Sequence, residues 1–177
     1  IHFEWQCLEI KEVITLIMKK LVFLRHAKSS WEYNVEDYDR PLSQKGINDI
    51  TRVSSKNLSI FKKIDIIFTS PANRALHTSV ILTRNSFNKC EKLRVADELY
   101  SFNYKDIMEY VYNLDDKFSN IVLVGHNPAF SLAANHLSKE SVPELRTSDW
   151  VMLKFNQKKW SKINLGSYTY ESKKSSK

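Results

Sequence analysis

Three short apolar runs, at residues 21–24, 64–68 and 121–124, interrupt a largely polar chain. They are nearly unbroken and rich in β-branched residues, the pattern of strands covered on both faces. Between the runs the apolar positions switch to helical spacing. Ile47, Ile50 and Val53 follow Ser43 at intervals of three, which predicts a helix beginning at Ser43. Ser70-Pro71 comes directly after the second run, with a side chain suited to capping free amides and a proline suited to a first helical turn. Asn127-Pro128 repeats the device after the third run. Residues 103–114 predict a further helix, with Ile107, Tyr110, Val111 and Leu114 on one side. Near the end, residues 150–155 and 159–165 read as an antiparallel pair joined by Asn156-Gln157-Lys158. Strands alternating with helices imply one α/β domain, three layers deep, around a mainly parallel sheet.

Composition adds bounds. A chain of 177 residues can bury a substantial core, and 42% hydrophobic residues suit a globular protein. The formal charge of +7 invites a nucleic-acid reading. Its location argues otherwise: residues 154–177 hold seven lysines against one glutamate, which leaves +1 for everything before them. Residues 167–177 therefore read as a solvated basic tail, and no nucleic-acid partner is expected. Residues 1–17 read as an N-terminal extension, because Met18-Lys19-Lys20 ahead of the first apolar run resembles an ordinary start. The domain is expected over 18–166. No run is long enough to span a bilayer, and Glu4, Glu9 and Glu12 sit where a signal peptide would be uncharged or basic. The expected compartment is the cytoplasm, with no membrane partner. Cys7 and Cys90 make neither a disulfide framework nor a metal-ligand spacing, so neither metal nor cofactor is expected.

Several chemistries drop out. Three glycines, at 46, 125 and 166, cannot compose a P-loop or a dinucleotide fingerprint. No Gly-x-Ser-x-Gly occurs, no His-Glu-x-x-His, and neither cysteine has an arginine six residues later. Asp37-x-Asp39 follows a loop and not a strand, which weakens an aspartyl-phosphate reading. What remains is two strands that each run into a histidine: 21–24 into Arg25-His26, and 121–124 through Gly125 into His126. In an open α/β sheet the ligand crevice lies beyond the carboxyl ends of parallel strands. His26 and His126 would meet there, beside the helix that carries Arg74. Helix N-termini favour anions, and arginine forks match phosphate oxygens. Arg25, Arg74 and the two histidines describe a phosphate site in which neutral imidazole can attack phosphorus.

These residues carry a resemblance. Leu24-Arg25-His26-Ala27-Lys28-Ser29 is similar to the Arg-His-Gly signature of the histidine phosphatase superfamily, with Ala27 in place of the glycine. Asp39-Arg40-Pro41-Leu42-Ser43 resembles the segment that follows it in the SixA-like branch. Ser70-Pro71-Ala72-x-Arg74-Ala75-x-x-Thr78 resembles the second motif, and Gly125-His126-Asn127-Pro128 the third. The resemblance implies a phosphoglycerate mutase-like fold and a metal-independent phosphatase. It makes His26 the phosphorylated nucleophile, has Arg25 and Arg74 bind the phosphoryl oxygens, and has His126 hydrogen-bond them. It implies a glutamate as general acid, for which Glu98 is the candidate, although the glycine-containing stretch expected after it is missing. The substrate expected is a phosphohistidine on a protein partner. A small-molecule phosphomonoesterase, a phosphoglycerate-mutase-like enzyme and a non-catalytic phosphate-binding module are the alternatives. Asp39 and Arg40 are expected to order the loop before Ser43, and the loop between His26 and Ser43 is not expected to enclose a small ligand by itself.

Overall fold

The structure, a computed structural model, describes residues 19–87 and 90–172. The extension read at 1–17 and the last five residues of the tail lie outside the described residues. The described elements, in chain order, are β1 (Lys19–Arg25), α1 (Gln44–Lys56), α2 (Leu58–Phe61), β2 (Ile66–Thr69), α3 (Asn73–Phe87), β3 (Leu93–Val95), α4 (Tyr104–Tyr112), β4 (Asn120–Gly125), α5 (Ala129–Leu137), β5 (Trp150–Phe155) and β6 (Ser167–Glu171). The strands form one mixed sheet in the order β3-β2-β4-β1-β5-β6. β1 to β4 pair in parallel, and β5 and β6 add an antiparallel edge.

Alternation along the central strands divides the core into two slabs, which is the physical meaning of the unbroken apolar runs. Leu21, Phe23, Ile121, Leu123, Val151 and Leu153 face α4 and α5, meeting Ile107, Val111, Phe130 and Ala134. Val22, Leu24, Val122, Val124 and Met152 face α1 and α3, meeting Ile50, Val53, Ala75 and Leu82. The three-layer α/β/α arrangement expected from the pattern is therefore present.

Helix α1 starts as its sequence predicts: Ser43 Oγ accepts the Gly46 amide at 3.1 Å. α3 begins later than Ser70-Pro71 suggests, at Asn73. Ser70 Oγ instead sits 2.8 Å from His126 Nε2 and accepts from the Ala72 amide.

The C-terminal pairing also differs from expectation. Residues 159–165 do not form the partner of β5. Trp160 is drawn into the core, fully buried, with its Nε1 donating to the Phe118 carbonyl and its amide to Asp116 Oδ1. Removing such an indole typically costs 3–5 kcal/mol, which outweighs the 0.2–1 kcal/mol of a cross-strand pair. The partner of β5 is β6, in register from Lys154 opposite Ser167 to Trp150 opposite Glu171. Residues 167–171 are thus a strand and not the start of a solvated tail. Tyr168 and Tyr170 pack on the α4/α5 slab, and Glu171 reaches Lys56 of α1 at 3.1 Å on the other side.

Candidate active site

Strand parity places the two histidines. Arg25 pairs with Gly125 across β1 and β4, and the His26 amide donates to the Gly125 carbonyl at 3.0 Å. His26 and His126 therefore stand side by side, one residue beyond the sheet. Both continue the alternation of Leu24 and Val124 onto the α1/α3 face. Their rings are 5.1 Å apart. Gly125 itself is required by close packing: a Cβ there would lie 2.5 Å from the Phe130 ring.

Arg74, on the first turn of α3 and 2% exposed, reaches both imidazoles. Its Nε donates to His26 Nε2 at 3.2 Å, and one terminal nitrogen lies 3.3 Å from His126 Nδ1. Its far end is clamped by Asp37, whose carboxylate accepts at 2.8 Å and whose carbonyl accepts from the other terminal nitrogen. A single hydroxyl ties this arginine to the loop after His26. Thr78 Oγ1 accepts from the Ala27 amide at 2.9 Å and donates to the Arg74 carbonyl at 2.6 Å.

Imidazole tautomers follow from the partners. His26 Nδ1 is 2.8 Å from the Ala27 carbonyl, which can only accept, so Nδ1 carries the proton and Nε2 keeps its lone pair. Burial lowers the His26 pKa to about 3, and the neighbouring guanidinium groups of Arg74, Arg25 and Arg40 add to that. His126 is lowered to about 3 by burial, then by His26 and Arg74. Both rings are neutral at physiological pH. Arg25 donates to the Leu145 carbonyl at 2.9 Å, and its Nε is buried with no hydrogen-bond partner among the described residues. A buried, unmatched guanidinium N–H is costly by about 1–3 kcal/mol and is suited to an oxyanion.

Four of the five residues singled out by sequence thus converge on one cavity of about 640 Å³: Arg25, His26, Arg74 and His126. Glu98 does not, and its assignment as general acid is corrected. The short turn Asp97–Leu99 buries Leu99 completely, which turns Glu98 outward into a separate depression with Asp97, Asp106 and Glu109. Tyr100 and Phe102 occupy the space against His126 instead, with ring centroids at 5.3 and 5.6 Å.

Sequence reasoning read Asp37 only as part of a weak aspartyl-phosphate pattern and Ser70 only as a helix cap and motif residue, and it missed Tyr100 and Phe102. The two aromatic residues belong to no charged or periodic pattern. Asp37 is held by Arg40 and Arg74 and accepts from the Tyr100 hydroxyl at 3.1 Å. Those hydrogen bonds lower its pKa to about 2 against the opposing effect of burial. It is a carboxylate and not a proton donor at neutral pH. Arg40 orders the loop as expected, through Asp37 and Ser29, and its guanidinium also lies 3.7 Å from the Trp31 ring centre on the cavity wall. The loop after His26 therefore forms one wall of the cavity, together with α1, α3 and the segments around Phe102, His126 and Arg146.

The comparisons agree with this geometry. The family described as the histidine phosphatase superfamily (branch 1) matches residues 21–110. An uncharacterised chloroplastic protein of Arabidopsis thaliana is 30% identical over 156 residues, covering 82% of this chain and 71% of that protein. The solved structure of the protein histidine phosphatase SixA complexed with tungstate has a TM-score of 0.70 at 18% identity, covering 86% of this chain and 94% of that one. A mycobacterial glucosyl-3-phosphoglycerate phosphatase has a TM-score of 0.61 at 15% identity, covering 86% and 97%. With Arg25, Arg74 and His126 gathered around the buried imidazole of His26 and half the chain matching the family, this protein belongs to branch 1 of the histidine phosphatase superfamily and is a phosphatase.

Proposed function

We propose that the enzyme hydrolyses phosphohistidine on a protein partner through a phosphoenzyme at His26. One observation carries the choice of substrate. The two carboxylates that line the cavity, Asp37 and Asp49, are both paired with arginine, so neither serves as general acid for a poor leaving group. Phosphohistidine needs little acid assistance. When its second ring nitrogen is protonated, as solvent allows near its reference pKa of ~6.5, the departing imidazole leaves neutral.

The steps then balance. The Nε2 lone pair of His26 attacks phosphorus, and the bond from phosphorus to the substrate's nitrogen breaks as the neutral imidazole departs. The positive charge that develops on His26 is steadied by the Nδ1–H hydrogen bond to Ala27. Arg25, Arg74 and His126 hold the phosphoryl oxygens throughout, in place of a metal. Water next attacks phosphorus, the bond to Nε2 breaks, and hydrogen phosphate leaves with the proton.

A second reading is a small-molecule phosphomonoesterase, favoured by the cavity volume, which falls in the ordinary range for small ligands. Turnover of a phosphohistidine-bearing protein should exceed that of a panel of sugar, glycerate and aryl phosphates in kcat/KM. Brief incubation with a labelled donor should leave acid-labile, alkali-stable phosphate on His26, and His26→Ala should lose label and turnover together. Label on a serine or carboxylate sinks the mechanism. Turnover of one metabolite at about 10⁵ M⁻¹s⁻¹, with poor phosphoprotein turnover, selects the second reading.

A further inference from the structure

We propose that the same cavity contains a second anion subsite, built from Lys28, Lys45 and Arg52, that takes a negatively charged group on the leaving side of the substrate. The inference rests on the cavity's being the phosphoryl site.

The subsite exists because α1 is pinned to the nucleophile loop. Ser43 donates to the Lys28 carbonyl twice, from its amide at 2.9 Å and its hydroxyl at 3.0 Å. Gly46 packs so closely that a Cβ would fall 2.2 Å from the Lys28 carbonyl oxygen. This contact turns one face of α1 toward the cavity. Lys45, Asp49 and Arg52, spaced by four and three residues, all line it, as does Lys28.

On that wall of the cavity Lys28, Lys45 and Arg52 stand beside one carboxylate, Asp49. Asp49, 3% exposed, pairs with Arg52 at 3.1 Å and with Lys45 at 4.0 Å. Asp49 thus pairs with two of the three cations on this wall, and Lys28 is the third. The phosphoryl group does not use the excess, because Arg25 and Arg74 already provide two positive charges beside His26. Arg40 is likewise taken up by Asp37. A further anionic partner for the α1 wall would come from the remainder of the substrate. Its chemistry is that of a carboxylate or phosphate, and two sources can supply it: an acidic side chain next to a phosphohistidine, or a second anionic group on a small phosphoester.

Two pairs of substrates test this, each at low and high salt. The first pair is phosphohistidine peptides that differ only in aspartate or alanine flanks. The second is phenyl phosphate with and without a ring carboxylate. In at least one pair the anionic member should be preferred by about tenfold in kcat/KM, and salt should shrink that preference. The double variant Lys28→Ala, Lys45→Ala should bring the ratio toward one. Both residues are exposed, with the Lys45 side chain 64% accessible, so the variant should fold. Lys45→Glu should reverse the preference toward neutral or cationic flanks. No preference in either pair, or a preference unchanged in the double variant, overturns the subsite. Turnover confined to the aryl pair, with the carboxylate preferred, leaves the subsite standing and removes the phosphohistidine reading. Turnover of the peptides with no preference in either pair does the opposite.

Discussion

At the residue scale, both imidazoles are buried as neutral bases, and this links catalysis to acid stability. Their pKa values of about 3 in the folded protein lie below the ordinary 6.5. Between those limits the unfolded chain takes up protons that the folded chain refuses. Stability is therefore fully present above pH 6.5 and falls as the pH drops toward 3. The slope is up to about 1.4 kcal/mol per histidine for each pH unit. Denaturation midpoints measured from pH 7 to 4.5 should fall more steeply for the wild type than for His26→Gln, His126→Gln. Parallel slopes would mean that the rings ionise freely in the folded state. Over the same range His26 itself should impose no acid limb on kcat/KM once the phosphate ionisation of the substrate, near 6, is allowed for.

At the element scale, the contact between α1 and Lys28 sets two tendencies against each other. Replacing Gly46 by alanine should favour a helix by about 0.8–1 kcal/mol. The new Cβ would meet backbone at 2.2 Å, an overpacking that costs about 1–3 kcal/mol. Overpacking should win, so Gly46→Ala should lower stability and reduce discrimination between anionic and neutral substrates. A more stable variant with unchanged discrimination would show that α1 is held elsewhere. The same local logic explains what the sequence revealed. The strands β1, β2 and β4 were legible because burial on both faces leaves continuous apolar runs, and α1 and α4 because their apolar stripes have helical spacing. Arg25, His26, Arg74 and His126 were legible because they adjoin those elements. Asp37, Tyr100 and Phe102 were not, since they reach the site from irregular loops whose course depends on tertiary contacts such as the Arg40 clamp. β3 has three residues, none fully buried, and so leaves no pattern to read. β6 was hidden by its polar alternation and by the lysines after it.

At the scale of the whole molecule, β6 closes one end of the sheet and bridges the layers. Tyr170 donates to Asp149 Oδ2 at 2.9 Å, and Asp149 in turn accepts the Arg146 amide at 2.9 Å and offers its carbonyl to Arg25 at 3.1 Å. The last strand thereby supports the segment that holds Arg25 in place. A chain ending at Gly166 should lose about 3 kcal/mol or more and roughly 10 °C in Tm, with kcat/KM falling further than the unfolded fraction accounts for. An unaltered Tm would return residues 167–171 to the role of a tail.

The tie of the His26 amide to Gly125, in the middle of a six-stranded sheet, also has a temporal meaning. Amides at the end of β1 can exchange with solvent deuterium only when the sheet opens. Those of Arg25 and His26 should accordingly exchange at the rate of global unfolding. The loop that carries Trp31, Tyr33 and Val35, all exposed, has few backbone hydrogen bonds and should exchange orders of magnitude sooner. His26 keeps one position while the loop that brings Trp31 to the cavity wall is free to adapt. Changes in that loop should therefore reshape the Trp31 side of the cavity without disturbing the position of His26.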